Sequence, residues 1–254
     1  FIVYRHIIEK AKGKPVTLRT LDIGGDKTLP YFTLPKEDNP FLGERALRLC
    51  FSHPKILQTQ LRAAIRASAY GRLQIMFPMV GSLEDIRKAK NIVRETMQEL
   101  DARGIEYDND IKIGVMIEVP SLAIMADLVA KEVDFASIGS NDLTQYVCAA
   151  DRMNAVMEPY YQTYSPAMLR LLEFVFSSFN KQNKPISVCG EMAGNPKGAA
   201  LLAGLGARKL SMNYAMLAAV KAELSRHTMR ELEEMAEKCK GFCTESEIVK
   251  LMGL

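Results

Sequence analysis

The sequence has no apolar run near the 18 or so residues that a membrane-spanning helix requires. It also begins without the charged and apolar pattern of a secretory signal. Its net charge is only +3, and Lys and Arg are scattered among Asp and Glu, so no basic stripe indicates a nucleic-acid surface. These absences predict a protein that neither inserts into a membrane nor binds nucleic acid.

Cysteine is also scarce, with five residues in 254. The number is odd, and the spacing matches neither a disulfide framework nor a zinc site. The closest pair, Cys239 and Cys243 in "CKGFC", has no second pair or histidine nearby, so two reduced thiols are the simpler interpretation. Reduced thiols without a secretory signal predict a cytoplasmic protein.

What the chain does contain is a repeated pattern of short apolar runs, each followed by an amphipathic helix pattern. The runs end in glycine or polar residues and hardly alternate, which is typical of strands buried on both faces of a parallel sheet. With 48% hydrophobic and 25% charged residues, the chain can also build a large core. The runs are 15–25, 73–81, 111–120, 135–142, 185–194 and the short 209–213.

Several helix starts can be located from capping residues. Ser82 and Asp85 form a capping-box pattern ahead of a helix that continues to about residue 103. Ser165 and Pro166 give an N-cap followed by proline at the first helical position. Two terminal helices are predicted from the capping-box pairs Thr228 with Glu231 and Thr244 with Glu247.

Alternating strands and helices predict an α/β fold, either an open doubly wound sheet or a closed barrel. An open sheet gathers ligands at one switch point, whereas a barrel brings many strand ends to one mouth. Nearly every predicted strand here ends in polar or reactive side chains, which favours a (β/α)8 TIM-type barrel forming one domain over residues 1–254. These side chains are Arg19, Asp22, Glu118, Asn141, Asp142, Cys189, Glu191 and Asn213.

The strand count falls short of a complete barrel. The pattern gives about six strands, whereas the (β/α)8 barrel has eight. The chain opens on a helix pattern, "FIVYRHIIEKAKG", and a helix follows a strand in a βα repeat. We therefore expect an N-terminally truncated domain whose first one or two strands precede residue 1.

The charged residues at the predicted mouth can be interpreted in two ways. Glu118 and Asp142, at the ends of adjacent predicted strands, could bind a hard divalent cation. Arg19, Arg45 and Arg152 could make bidentate contacts with phosphate or carboxylate. A metal with arginines is what phosphoryl transfer uses; structural ion pairs and helix caps are the alternative.

Cys189 in "SVCGEMAGNP" ends a predicted strand, where a cysteine is most often a small core residue. The glycine after it favours an exposed turn, in which a thiol could act as a nucleophile or a proton donor. The three histidines, His6, His53 and His227, lie in or next to predicted helices and away from these motifs. A Cys–His nucleophilic pair is therefore not supported.

Several motifs together resemble a known family: "RTLDIGGDK", "NPFLGERALR", "MIEVPS", "GSNDLTQY", "AADR" and "CGEMAG", in this order. They are similar to the C-terminal domain of enzyme I of the bacterial phosphotransferase system, the phosphoenolpyruvate–protein phosphotransferases. The resemblance runs from near residue 1 to the end. "MIE", "SNDLTQ" and "CGE" are shared with pyruvate phosphate dikinase and phosphoenolpyruvate synthase, whereas "DIGGDK" and "NPFLG" are typical of enzyme I.

The resemblance implies which residues bind substrate. Arg19 and Arg152 would bind the phosphate and carboxylate of phosphoenolpyruvate, and Arg45 would join them. The residue before Arg45 is often aromatic in the family and is Glu44 here, which leaves the arginine unchanged. Asn141 would touch the substrate phosphate.

The resemblance also implies a cofactor and a proton donor. Glu118 and Asp142 would hold Mg²⁺, so that Asp142 counts both as a metal ligand and as a substrate-binding residue. Cys189 would be the catalytic acid that protonates the enolate of pyruvate at its methylene carbon. This role agrees with the chemistry, since the enolate gains a proton when the phosphoryl group leaves.

The partners follow from the same resemblance. The family's phosphate-accepting histidine lies in a separate N-terminal domain, and a further substrate arginine lies on an earlier strand; both would precede residue 1. That domain would pass the phosphoryl group to the histidine phosphocarrier protein HPr, feeding sugar uptake, and a homodimer is expected. We therefore expect this chain alone to transfer no phosphoryl group.

Two other functions are compatible with the sequence. One is the corresponding domain of pyruvate phosphate dikinase or phosphoenolpyruvate synthase. The other is a barrel that binds phosphoenolpyruvate without catalysis. A complete set of Glu118, Asp142, Arg152 and Cys189 counts against the second.

Overall fold

The computed structural model describes residues 1–24 and 36–254. These residues form two compact units, 1–116 and 117–254. The last residue of the first predicted strand run, Gly25, lies outside the described residues, as do Asp26 and Lys27 of the "DIGGDK" motif.

The first unit is built on parallel strands with helices between them. Strand β1 is Val16–Arg19, β2 is Leu73–Phe77 and β3, at the division between the units, is Lys112–Ile117. Parallel β1 and β2 pair with Val16 opposite Leu73, and parallel β2 and β3 pair with Gln74 opposite Lys112. The helices of this unit are α1 (Ile2–Lys10), α2 (Leu47–Ser52), α3 (Pro54–Ala67) and α4 (Leu83–Ala102).

The second unit contains two further parallel strands, β4 (Phe135–Gly139) and β5 (Ile186–Cys189). They pair with Ala136 opposite Ile186 and Gly139 opposite Cys189. All five residues of β4 are buried. The helices are α5 (Pro120–Ile124), α6 (Ala126–Glu132), α7 (Ser140–Cys148), α8 (Pro166–Lys181), α9 (Glu191–Gly194), α10 (Pro196–Gly204), α11 (Leu217–Leu224), α12 (Met229–Lys240) and α13 (Glu245–Met252).

The predicted helix starts are confirmed. The Ser82 side chain accepts a hydrogen bond from the Asp85 amide, and Asp85 closes the capping box of α4. Ser165 caps α8 by accepting from the Met168 amide, with Pro166 as its first residue. The capping boxes begun by Thr228 and Thr244 start α12 and α13.

Two strand predictions need correction. Residues 209–213 form no strand; they add one parallel bridge between Leu210 and Val188. The amide of Val188 donates to the Lys209 carbonyl, and the amide of Ser211 donates to the Val188 carbonyl, at 3.0 and 2.8 Å. The prediction that every strand is buried on both faces is wrong for β1, in which partly buried residues alternate with exposed ones.

The structure thus confirms an α/β fold whose described strands pair in parallel. Closure into an eight-stranded barrel and the single-domain organisation stay predictions. Among the described residues no helix is both long and apolar enough to cross a membrane.

Candidate active site

The two predicted carboxylate ligands follow consecutive strands. Glu118 comes directly after β3 and is completely buried. Asp142 lies in the first turn of α7, which begins immediately after β4, and its side chain is 13% exposed. Because the N-terminal end of a helix carries partial positive charge, the first turn of α7 stabilises the Asp142 carboxylate.

Arg152 is an ion-pair partner of Asp142. One guanidinium nitrogen lies 3.6 Å from Oδ2 of Asp142, and the pair is mostly buried. Helix α7 ends at Cys148, and its C-cap Ala149 has a left-handed conformation, after which the chain turns back. The amide of Arg152 donates to the side-chain oxygen of Gln145 at 3.1 Å. The end of α7 therefore holds Arg152 beside the carboxylate at its beginning.

The side chain of Asn141 is oriented by the segment that carries Cys189. Its Oδ1 accepts a hydrogen bond from the Glu191 amide at 3.0 Å. This contact engages the oxygen and not the two N–H donors on Nδ2. An amide in this orientation can donate to an anionic ligand.

Gly190 allows the segment after β5 to lie close to Ser140 and Asn141. A β-carbon at Gly190 would collide with Oγ of Ser140 and lie 2.8 Å from Oδ1 of Asn141. Its φ of +106° is also one that other residues rarely adopt. The "CGE" motif therefore uses glycine because β5 passes directly against the start of α7.

The thiol of Cys189 lies at the end of β5 and is partly exposed. Its Sγ is 3.4 Å from the Ile138 carbonyl, to which the S–H donates. The hydroxyl of Ser137 donates to the same sulfur at 3.7 Å. The hydroxyl of Ser140 donates to the Cys189 carbonyl at 2.9 Å, so β4 and the start of α7 fix both the backbone and the thiol.

Tyr161 is a contributor that the sequence analysis missed. Its hydroxyl donates to the backbone carbonyl of Asn141 at 2.9 Å. Burial raises the pKa of Tyr161 to about 12, although the nearby Arg152 lowers it, so the phenol keeps its proton at neutral pH. Tyr161 lies 20 residues from Asn141 in the chain, and no short sequence motif predicts the contact.

The C-terminal helix reaches the same loop. Glu245, at the start of α13, accepts a hydrogen bond from the Tyr164 amide at 2.7 Å. Burial raises the pKa of the Glu245 carboxyl, and the bond from Tyr164 partly offsets this. Burial together with Glu245 and Glu191 raises the pKa of Tyr164 to about 12. The hydrogen bond between Tyr164 and Glu245 therefore attaches the loop that holds Tyr161 to α13.

In the first unit Asp22 links the two predicted substrate arginines. Arg45 donates to both carboxylate oxygens of Asp22, at 3.1 and 3.3 Å. Arg19, at the end of β1, has Nη1 3.8 Å from Oδ2 of Asp22 and 3.7 Å from the sulfur of Met116. The Arg19 side chain is 45% exposed, whereas that of Arg45 is fully buried. In this structure Arg45 holds Asp22, and a direct substrate contact by Arg45 stays a prediction.

A second glycine brings the two segments of this ion pair together. Gly24 has φ +101°, and a β-carbon there would lie 2.7 Å from both Cβ of Arg45 and the Glu44 carbonyl. The amide of Ala46 donates to the Ile23 carbonyl at 2.9 Å. The first glycine of "DIGG" is therefore required for the backbone around Asp22 to approach the backbone around Arg45.

Within the second unit the structure therefore links Asn141, Asp142, Arg152 and Cys189 through direct contacts and neighbouring backbone. Within the first unit it links Arg19 with Arg45 through Asp22. Among the described residues no group of three or more His, Cys, Asp or Glu side chains could hold a metal ion. Mg²⁺ nevertheless keeps several waters and is often held by one or two carboxylates with substrate phosphate, so Glu118 and Asp142 have suitable chemistry.

The histidines and the remaining cysteines behave as predicted. His6 lies in α1, His53 precedes α3, and His227 follows α11. All five cysteines are free, with Cys239 buried and Cys243 exposed. The two cysteines of "CKGFC" thus differ in burial and are not bonded to each other; that both are reduced thiols stays a prediction.

The sequence that builds this α/β fold also matches the model of a known protein family. The model of the family described as "PEP-utilising enzyme, PEP-binding domain" matches residues 1–229. The chain therefore belongs to the PEP-utilising enzymes, through their PEP-binding domain.

Curated relatives carry a more particular name. The chain is 47% identical over 249 residues to the phosphoenolpyruvate-protein phosphotransferase of Bacillus subtilis (strain 168), covering 98% of this chain and 44% of the relative. It is 47% identical over 255 residues to that of Staphylococcus carnosus (strain TM300), covering 99% of this chain and 44% of the relative. The chain thus spans less than half the length of these relatives.

One solved structure is similar in fold. A citrate lyase from Burkholderia xenovorans LB400 matches with a TM-score of 0.50 and 16% identity, covering 77% of this chain and 66% of that protein. At this identity the likeness concerns the fold alone.

Proposed function

We propose that this chain is the substrate-binding and catalytic domain of a phosphoenolpyruvate–protein phosphotransferase. It binds Mg-phosphoenolpyruvate and releases pyruvate while the phosphoryl group passes to a histidine on a separate domain. That histidine then phosphorylates HPr, which feeds sugar uptake. The observation that carries the proposal is that one segment, Cys189–Glu191, both presents the thiol and orients the amide of Asn141.

Substrate recognition in this proposal is electrostatic. Phosphoenolpyruvate carries a phosphate and a carboxylate, and arginine binds both groups through paired donors. Arg152 and the exposed Arg19 are assigned to these groups. Asn141 donates from Nδ2 to the phosphate, because its Oδ1 is already engaged. Arg45 supports Arg19 through Asp22.

The proposed cofactor is Mg²⁺, with Glu118 and Asp142 as its protein ligands. When bound, Mg²⁺ supplies positive charge to the substrate phosphate and to the developing enolate. The carboxylate of Asp142 lies in the first turn of α7, with a guanidinium nitrogen of Arg152 3.6 Å away.

Cys189 is the proposed proton donor. When the phosphoryl group leaves, the bonding electrons stay on the enol oxygen and produce the enolate of pyruvate. The enolate then takes a proton at its methylene carbon from the S–H of Cys189, which becomes a thiolate. A partly exposed thiol at the end of β5 suits this role better than a buried core cysteine does.

The two alternatives receive less support. A counterpart domain of pyruvate phosphate dikinase or phosphoenolpyruvate synthase would share "MIE", "SNDLTQ" and "CGE". The relatives described above, however, are both phosphoenolpyruvate-protein phosphotransferases. A barrel that binds phosphoenolpyruvate without catalysis has no reason to keep the thiol of Cys189 partly exposed.

The proposal includes a homodimer and a cytoplasmic location. The dimer is supported by large apolar side chains left exposed in the second unit, at Met153, Val156, Tyr160 and Tyr214. The location is supported by five free thiols. Light scattering on the purified chain measures its mass in solution and so tests the homodimer.

Calorimetric titration of the chain with phosphoenolpyruvate in the presence of Mg²⁺ tests the proposed binding. We expect saturable binding that Arg152→Met weakens at least tenfold, while Arg230→Met leaves it unchanged. Arg230 is a suitable control because its side chain is 87% exposed and pairs with Glu234 on the surface of α12. Equal affinity in both variants would refute the site.

Phosphoryl transfer is tested separately. The 254-residue chain, incubated with labelled phosphoenolpyruvate, Mg²⁺ and HPr, is expected to give no labelled protein, because its three histidines lie in or beside helices and away from the site motifs. The full-length protein is expected to label HPr. Labelling by the chain alone would show that an acceptor histidine lies within residues 1–254.

A further inference from the structure

A polar residue interrupts the apolar strand that lies beside Cys189. Strand β4 reads Phe-Ala-Ser-Ile-Gly, and Ser137 in its centre is 5% exposed. A buried hydroxyl without a hydrogen-bond partner is unfavourable, and parallel strands buried on both faces are usually apolar throughout. The partner that the structure gives to the Ser137 hydroxyl is the sulfur of Cys189, at 3.7 Å.

The register of the sheet explains why these two side chains meet. Ser137 of β4 is paired with Ser187 of β5, and Cys189 lies two residues further along β5. Residues two apart on a strand point to the same face, so Ser137, Ser187 and Cys189 share one face of the pair. The hydroxyl of Ser187 donates instead to the Ala136 carbonyl at 3.4 Å.

The strength of the Ser137–Cys189 contact depends on the charge of the sulfur. A neutral thiol is a weak acceptor, whereas hydrogen bonds to charged acceptors are roughly twice as strong as neutral ones. The hydrogen bond from the Ser137 hydroxyl is therefore strongest when Cys189 has lost its proton. An interaction that is stronger after proton transfer than before it accelerates that transfer.

We propose that Ser137 is a positioning residue that stabilises the thiolate of Cys189 during turnover. The inference rests on the proposed function, in which Cys189 protonates the enolate. The S–H bond breaks, its proton forms a C–H bond at the methylene carbon of the enolate, and the electron pair stays on sulfur. The Ser137 hydroxyl keeps its own proton and donates to that sulfur. Water later returns a proton to the thiolate.

The test uses the full-length protein and three serine variants. Ser137→Ala removes the hydroxyl that donates to Cys189. Ser187→Ala is the matched control, because it removes a hydroxyl on the same face of the same strand pair that donates to the Ala136 carbonyl instead. Ser137→Thr keeps a hydroxyl and serves as the conservative rescue. Asp142, Arg152 and Glu191, the charged residues near this end of the strands, are the same in every variant, so their influence on the thiol cancels in the comparison.

The first measurement is alkylation of Cys189 by iodoacetamide as a function of pH, followed at the Cys189 peptide because Cys243 is also exposed. We expect Ser137→Ala to move the midpoint of alkylation upward by about one pH unit, which corresponds to a tenfold weaker stabilisation of the thiolate. Ser187→Ala and Ser137→Thr should keep the wild-type midpoint. Equal midpoints in Ser137→Ala and Ser187→Ala would overturn the inference.

The second measurement is turnover of phosphoenolpyruvate. We expect kcat of Ser137→Ala to fall about tenfold with KM within about twofold, because the contact strengthens only after proton transfer. An unchanged kcat would overturn the inference even if the alkylation midpoint moved. If the wild-type protein turned over no phosphoenolpyruvate, the proposed function would fall, and the alkylation comparison would still decide whether Ser137 stabilises the thiolate.

Discussion

Asp22 accepts two hydrogen bonds from the guanidinium of Arg45, and both side chains are almost completely buried. Arg19, which is much more exposed, lies 3.8 Å from the same carboxylate. Arg45 therefore fixes Asp22, and Asp22 in turn helps to hold the more exposed Arg19. Because both charges are removed from water, an intact buried pair of this kind adds little net stability, whereas removing one partner is costly.

Removing Asp22 should be severely destabilising, because it leaves a buried charge without its carboxylate. Asp22→Ala is expected to lower the free energy of unfolding by about 3–5 kcal/mol, measured by urea unfolding followed by circular dichroism. Glu234→Ala removes the carboxylate of an exposed pair and should change stability by less than about 0.5 kcal/mol. Similar losses in both variants would show that the Asp22–Arg45 pair is not a structural anchor.

Metal binding should depend on Glu118 and Asp142. Alanine at either position is expected to weaken Mn²⁺ or Mg²⁺ binding in the presence of phosphoenolpyruvate at least tenfold, or about 1.4 kcal/mol. The physical reason is the loss of one charged oxygen ligand. Calorimetric titration measures the affinity, and Glu95→Ala, in the exposed middle of α4, serves as control. Unchanged affinity in both site variants would remove the metal assignment.

Cys189 should matter for turnover and not for binding. In the full-length protein, Cys189→Ala is expected to leave the affinity for phosphoenolpyruvate nearly unchanged and to reduce kcat by about 10²-fold or more, the usual contribution of a positioned proton donor. Cys243→Ala, which alters an exposed thiol outside the site motifs, should leave kcat unchanged. Normal turnover without the Cys189 thiol would return this residue to a structural role.

Glu223 gives a prediction on pH and stability. Its carboxylate, buried in α11, lies 2.7 Å from Lys197 and 3.0 Å from Arg226. The hydrogen bond from Lys197 is the main cause that lowers the pKa of Glu223 below its ordinary value of 4.5, with smaller contributions from His227 and Arg226. Because the folded state favours the charged form, this stabilisation is complete above the ordinary pKa and is lost as pH falls through the lowered one.

Glu223→Gln is therefore expected to reduce the free energy of unfolding by about 1 kcal/mol at neutral pH, as for an ion pair within a network. The difference from wild type should shrink as the pH drops below about 4.5. Urea unfolding at several pH values measures it, with Glu234→Gln as the exposed control. A difference that stays constant down to pH 3 would mean that the network does not act through the charge of Glu223.

The helix starts and most strands could be predicted from the sequence, because their signals are local. In the capping box Ser82 and Asp85 are three residues apart and satisfy each other's backbone donors, so the pattern is complete within one turn. The apolar beginning of run 135–142 becomes the fully buried strand β4, Phe135–Gly139, whereas the polar residues 140–142 begin α7. The polar residues at the ends of the apolar runs could be predicted as site candidates because their position after a strand is also a local signal.

Only the tertiary structure decided how those residues are oriented and buried. The contacts of Arg45 with Asp22, Tyr161 with Asn141, and Ser137 with Cys189 join residues 23, 20 and 52 positions apart. No short pattern encodes such pairs, since they depend on sheet register and on how closely two segments approach. The same register makes residues 209–213 a single bridge to Val188 and not the strand that their composition predicted. Local hydrogen bonding determines where an element begins, whereas packing between distant segments determines which side chains meet.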